Sequence, residues 1–205
     1  MSTCRNSNKN RFKMEMFSHD FGNWLYNGGQ RGEDADLGYY VGYEISKAYY
    51  GIAKDKQQAV KDINELDFAD DAAVEAFLER SEYFEEEIDK EMLMRQYEES
   101  LPYIVEIGPF ENGSNDVDPS LVELRITFSK AMNTKGLSFN YTERGGDFFP
   151  ITKRKGYEDD DRTLVLIMEL KPGTEYEFLI TNQSFWSRDG YRLKDAEYLV
   201  KFKTR

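Results

Sequence analysis

A chain of 205 residues has room for two domains of ordinary size, and its 14 Tyr and 14 Phe supply cores even though 32% of the residues are charged. The net charge of −12 and pI near 4.7 argue against a nucleic-acid or anionic-membrane role, because both need a basic surface that attracts phosphate. A single cysteine, Cys4, excludes an internal disulfide, and no apolar run reaches the roughly 20 residues of a membrane helix.

The composition changes near Pro102. Residues 1–100 carry 22 Asp and Glu against 12 Lys and Arg, lack proline, and keep their glycines between Gly22 and Gly51; all five prolines follow. The boundary is therefore placed at Ser100–Pro102, giving domains 1–101 and 102–205. The fold class expected is α+β: an all-α helical module with an acidic linker helix, followed by an antiparallel, Ig-like β-sandwich of about seven strands.

In chain order, the first helix is expected to pass through Phe12 and Met16 to Trp24 and Leu25, and to break at Asn27, Gly28 and Gly29. The second starts at Asp34 or Asp36 as cap, with Leu37, Tyr40, Val41, Ile45, Ala48 and Ile52 on its buried stripe. A third opens at Asp55 and aligns Ala59, Val60, Ile63 and Leu66. A fourth opens near Asp70 and aligns Ala73, Val74, Phe77, Leu78 and Phe84. EEEIDKEMLMRQYEES then reads as an acidic last helix or helical linker; acids at helix starts suit the macrodipole.

Beyond Pro102 the period becomes two. Val122, Leu124, Ile126 and Phe128 are expected to face a core, and so are Val105 and Ile107, Leu137, Phe139 and Tyr141, Leu164, Leu166 and Met168, Tyr176, Phe178 and Ile180, and Tyr198, Val200 and Phe202. ENGSND, DPS, KPGT and DG mark turns. In LKPGTEY, Tyr176 is placed to hydrogen-bond back across a sheet corner.

Several stretches invite chemistry. His19, Asp20, Glu33, Asp34 and Asp36 bring a histidine and carboxylates near one another, the types that bind a cation, but helix capping and solvation account for them more simply. Gly38, Gly42 and Ser46 recur every four residues, bordered by Tyr39 and Tyr43, and form a flank that another backbone can approach closely. That flank is read either as internal packing or as a surface facing an upstream or separate helix. Glu44 is expected half-buried or snorkelling outward. Asn115, Asp116 and Asp118, and Asp159, Asp160 and Asp161, lack the spacing of an EF-hand loop. With one histidine to serve and no GxSxG elbow, the residues argue against a familiar nucleophilic triad, and no phosphate-binding glycine loop is present.

YIVEIGPFENGSNDVDPSLVELRITFSKAMN, LKPGTEYEFLI, Asp189 with Gly190, and the closing YLVKFKT together resemble bacterial Ig-like domains of the S-layer-protein type. That resemblance covers about residues 102–205. It implies a spacer or binding module of a secreted or surface protein, hence a periplasmic or cell-surface setting and a protein or glycan ligand, although the given chain shows no signal peptide.

GQRGEDADLGYYVGYEISKAYY resembles the downstream part of predicted zinc-dependent peptidases of bacteria, over about residues 17–84. Such enzymes carry an HExxH helix upstream, whose two histidines bind zinc and whose glutamate activates water. Here the one histidine lies in FSHDFGNWLY and there is no HExxH. The leading expectation is a noncatalytic extracytoplasmic protein or fragment without a cofactor. Its alternative is the C-terminal portion of a secreted metallopeptidase, with zinc bound only if an upstream HExxH region completes a site to which Glu33 or Asp36 contributes.

Overall fold

The computed structural model describes residues 2–26 and 36–205, with side chains from Asn8 onward. The chain divides into two compact units, Met1–Glu99 and Ser100–Arg205. The first is helical: α1 Ser2–Glu15, α2 Leu37–Ile52, α3 Lys56–Asn64, α4 Asp71–Ser81 and α5 Lys90–Ser100. The second holds seven strands: β1 Ile104–Gly108, β2 Glu123–Phe128, β3 Phe139–Asn140, β4 Ile151–Glu158, β5 Thr163–Met168, β6 Glu175–Thr181 and β7 Glu197–Lys203.

Two helix starts follow from their caps. Asp55 accepts from the N–H groups of Gln57 and Gln58, and Asp70 from those of Ala72 and Ala73, which satisfies donors that the first turn leaves open. Asp36 does not act this way: its φ is 56° and its side chain makes no capping bond to α2. The buried stripe of α2 is also rotated from the expected one. Val41, Ile45 and Tyr49, spaced by four, face inward, whereas Tyr40 and Ile52 are exposed. Tyr49 belongs to this stripe because its ring packs on Phe77, 4.7 Å away, while its hydroxyl donates to Asp62 Oδ2 at 2.6 Å and so joins α2 to α3. In α3, Ala59 is buried and Val60 is exposed.

The expected first helix ends ten residues early. After Glu15 the chain turns: Ser18 N–H donates to the Glu15 carbonyl, and Gly22 N–H to Asp20 Oδ1, an Asx turn that offers the backbone an alternative to helix. Trp24 and Leu25 therefore return toward α1, and Phe12 meets the Trp24 ring edge-on at 5.0 Å.

The sandwich unit is antiparallel throughout, a four-stranded sheet in the order β1-β2-β5-β4 and a three-stranded sheet in the order β3-β6-β7. Alternation puts Leu124, Ile126 and Phe128 of β2, Leu164, Leu166 and Met168 of β5, and Tyr176, Phe178 and Ile180 of β6 into one core with Val200 and Phe202. A register shift between Ile104 and Glu106 breaks the alternation of β1, so Ile107 points inward and Val105 is 57% exposed instead of facing the core. Val122 and Tyr141 lie just outside β2 and β3 and are exposed as well. β4 escapes a period-two reading because two register shifts interrupt it.

Sheet edges are covered or broken. The outer edge of β7 is closed by residues 112–117: Gly113 N–H donates to the Lys201 carbonyl, Lys203 N–H to that of Ser114, and Val117 N–H to that of Lys203. At the LKPGTEY corner the Lys171 N–H donates to Tyr176 Oη at 2.7 Å. Tyr176→Phe keeps the buried ring and removes this acceptor. It is expected to destabilise the sandwich by about 1 kcal/mol, read as a lower urea midpoint for the β5 and β6 amide signals of the intact chain with the α2 signals unmoved.

Candidate functional site

The helical unit contains a cavity of about 630 Å³. Phe12 and Glu15 of α1 and Phe17, Phe21, Trp24 and Leu25 of the following turn form one wall. Gly38, Gly42, Ile45 and Ser46 of α2 form a second, and Ile63, Leu66, Phe68, Val74 and Phe77 close the third side. A cavity of this size and apolar lining falls within the range of ligand and peptide sites.

One buried carboxylate positions the first wall. Glu15 is 2% exposed, and it accepts from Arg11 Nε at 2.6 Å, Trp24 Nε1 at 2.7 Å and Asn23 Nδ2 at 3.1 Å. Burying a carboxylate costs several kcal/mol unless such donors compensate it. The arrangement fixes the last turn of α1 against the turn that carries Trp24. Sequence reasoning passed over Glu15, because a helix drawn through to Leu25 hides the pairing of Glu15 with Asn23 and Trp24. The signals present in the sequence were the Arg11–Glu15 spacing of four and a tryptophan, whose N–H needs a partner when buried.

The small-residue flank divides into two parts. Gly38 is a packing residue: its N–H donates to the Trp24 carbonyl at 2.8 Å, and a Cβ there would lie 2.9 Å from that oxygen and from Leu25 Cδ2. Gly42, one turn on, is exposed, and among the described residues a Cβ there would meet no packed neighbour within 4 Å. Ser46 donates its hydroxyl to the Gly42 carbonyl at 2.9 Å, so its one donor is already engaged. Tyr39 lines the mouth and is 61% exposed; Tyr43, 62% exposed, stands beside the cavity without lining it. The geometry brings Gly38, Tyr39, Gly42 and Ser46 to one cavity, and Tyr43 stays outside it.

The other candidates lie elsewhere. Glu33 and Asp34 fall outside the described residues. His19 is exposed, and Asp20 serves the Asx turn. Among the described residues no three His, Cys, Asp or Glu side chains stand close enough together to hold a metal ion. Glu44 is half-buried and pairs with Lys47 at 3.3 Å. In the sandwich, Asp118 accepts from Ser120 N–H and from Arg205, which hold its carboxyl below the usual range. Asp159, Asp160 and Asp161 all have positive φ, and the loop is tied by Arg125 and Arg188. Among the described residues no helix is long and apolar enough to cross a membrane.

Glu15→Ala removes the acceptor shared by Arg11, Asn23 and Trp24. It is expected to destabilise the helical unit by about 3 kcal/mol or more, with Glu15→Gln falling between Ala and the native residue. Hydrogen exchange of the intact chain checks this: protection should fall at the Val41 and Ile45 amides and stay unchanged at Leu164 and Leu166.

No protein-family model matches the chain, and no curated protein does. Among solved structures it is similar to CopC from Methylosinus trichosporium OB3b, at 17% identity and a TM-score of 0.37, over 50% of this chain and 92% of that one. It is also similar to the S-layer protein rSbsC(31-844), at 15% identity and a TM-score of 0.33, over 82% of this chain, and to domains 1–6 of surface layer protein SbsC, at 15% identity and a TM-score of 0.34, over 80%. This chain spans only 22% and 21% of those two S-layer chains.

Proposed function

We propose that this chain is a noncatalytic, extracytoplasmic binding protein whose helical unit receives part of a protein partner in the cavity between α1, α2 and α4, with the sandwich as spacer or second contact module. The observation that carries the reading is the open, apolar cavity. A unit built only to pack against itself would cover Gly42, Phe21 and Phe68, yet Phe68 lines the cavity at 79% exposure. The extracytoplasmic placement is taken from the resemblance of the sandwich sequence to Ig-like domains of surface proteins. Three large exposed rings around one concave site are the usual anchors of protein docking.

Photo-crosslinking in the source cells tests this reading. A benzophenone side chain at Tyr39 is expected to give one discrete protein adduct that is lost when Gly42→Trp fills the cavity; the same group at Val122, on the sandwich, should not give that adduct. An absence of any Tyr39-specific adduct contradicts the docking role. Stoichiometric zinc together with peptide cleavage by the purified chain contradicts the noncatalytic role.

A further inference from the structure

We infer that the segment received by the helical unit is an amphipathic α-helix, lying along α2 with an apolar stripe toward Trp24, Ile45 and Phe77 and with lysine or arginine on its flanks. The inference rests on the docking role proposed above and specifies the partner's chemistry.

The shape of the cavity favours a helix over a small apolar ligand. Its α2 wall is open: Gly42 lines the cavity and is itself exposed, and among the described residues no packed neighbour lies within 4 Å of where a Cβ would stand. A small ligand seated deep in the cavity leaves that wall in water. A helix laid beside α2 covers it, and glycine at the contact lets two helix axes come to the near end of their usual 8–10 Å separation. The polar content of the same wall agrees with an apolar stripe. The hydroxyl of Ser46 is turned back onto the Gly42 carbonyl, and the Glu15 carboxylate already accepts three hydrogen bonds. Neither group needs a polar partner from the occupant, so large apolar side chains at i, i+3 or i+4 and i+7 are the matching anchors.

Charge sets the flanks. Among the residues adjoining the cavity lining in sequence, acids outnumber bases: Asp20 next to Phe21, Glu65 and Asp67 on either side of Leu66, and Asp70 two residues after Phe68, against Lys13 next to Phe12 and Lys47 next to Ser46. The surrounding unit carries the chain's acidic excess, 22 acids against 12 bases in residues 1–100. An occupant with acidic flanks is repelled there, and one with cationic flanks is steered in.

The test is calorimetric titration of the intact chain, at physiological salt, with three designed peptides. One has leucines on a helical stripe and lysines elsewhere, one has the same stripe with glutamates, and one has the first composition scrambled so that no stripe forms. The striped leucine–lysine peptide is expected to bind one to one and at least about tenfold more tightly than either control, a difference of about 1.4 kcal/mol. Gly42→Leu, whose side chain enters open space and favours helix, is expected to weaken that binding about tenfold or more while the circular dichroism spectrum is retained. Equal binding of the scrambled peptide, or indifference to Gly42→Leu, overturns the inference by showing attraction to surface acids alone. Binding of the glutamate peptide in a manner sensitive to Gly42→Leu overturns the cationic part and leaves the docking role standing. If no peptide binds, the inference falls. The docking role falls with it only if the Tyr39 crosslink is also missing.

Discussion

The geometry of the helical unit depends on one buried ion, the carboxylate of Glu15. Its three donors come from α1 itself and from the turn that follows, so satisfying the charge folds residues 20–25 back onto the helix. Trp24 is thereby presented edge-on to Phe12, and its carbonyl meets the N–H of Gly38 at the start of α2. The wall of the cavity is thus set by a polar contact while the cavity itself is apolar. A hydrophobic contact of similar area would hold the same elements less specifically, since a buried charge tolerates few geometries.

The second unit shows the opposite economy. Its stability comes from side chains of both sheets in one core, with Leu124, Ile126, Leu164, Phe178, Ile180 and Val200 inaccessible to solvent. Many polar contacts there lie at the margins, with the Tyr176 hydroxyl at a corner, the 112–117 segment on β7 and arginines across the β4–β5 loop, while buried Ser187 and Thr204 bond to backbone carbonyls. The binding features proposed here belong to the helical unit.

Much of this was legible in the sequence, for physical reasons that differ between the halves. Period two in β2 reports burial directly, because that strand has one face on the core; in β5 and β6 the same spacing marks the residues that share the core, although neighbours such as Val165 are buried as well. β4 was not read as a strand, and Val105 of β1 was placed on the wrong face, because bulges shift the register and a bulge leaves no mark in hydrophobic pattern. The caps at Asp55 and Asp70 were readable because capping is local. Asp36 was not, since its left-handed backbone removes the capping geometry. For the cavity, the Gly38–Gly42–Ser46 spacing identified the wall but not its division into a packed glycine and an open one. That division depends on where the Trp24 turn lands, which follows from Glu15, a contact between residues nine apart with no periodic signal.

The proposed role of the Gly42 groove is to seat a helix. The most direct measurement is amide and indole chemical-shift mapping on the intact, isotopically labelled chain as the striped leucine–lysine peptide is added. A helix seated there is expected to give saturable shifts at the Trp24 indole N–H and at the amides of Gly42, Ile45 and Phe77, with Leu164, Phe178 and Val200 unmoved. Shifts confined to exposed acidic residues, or centred on the sandwich, would contradict it.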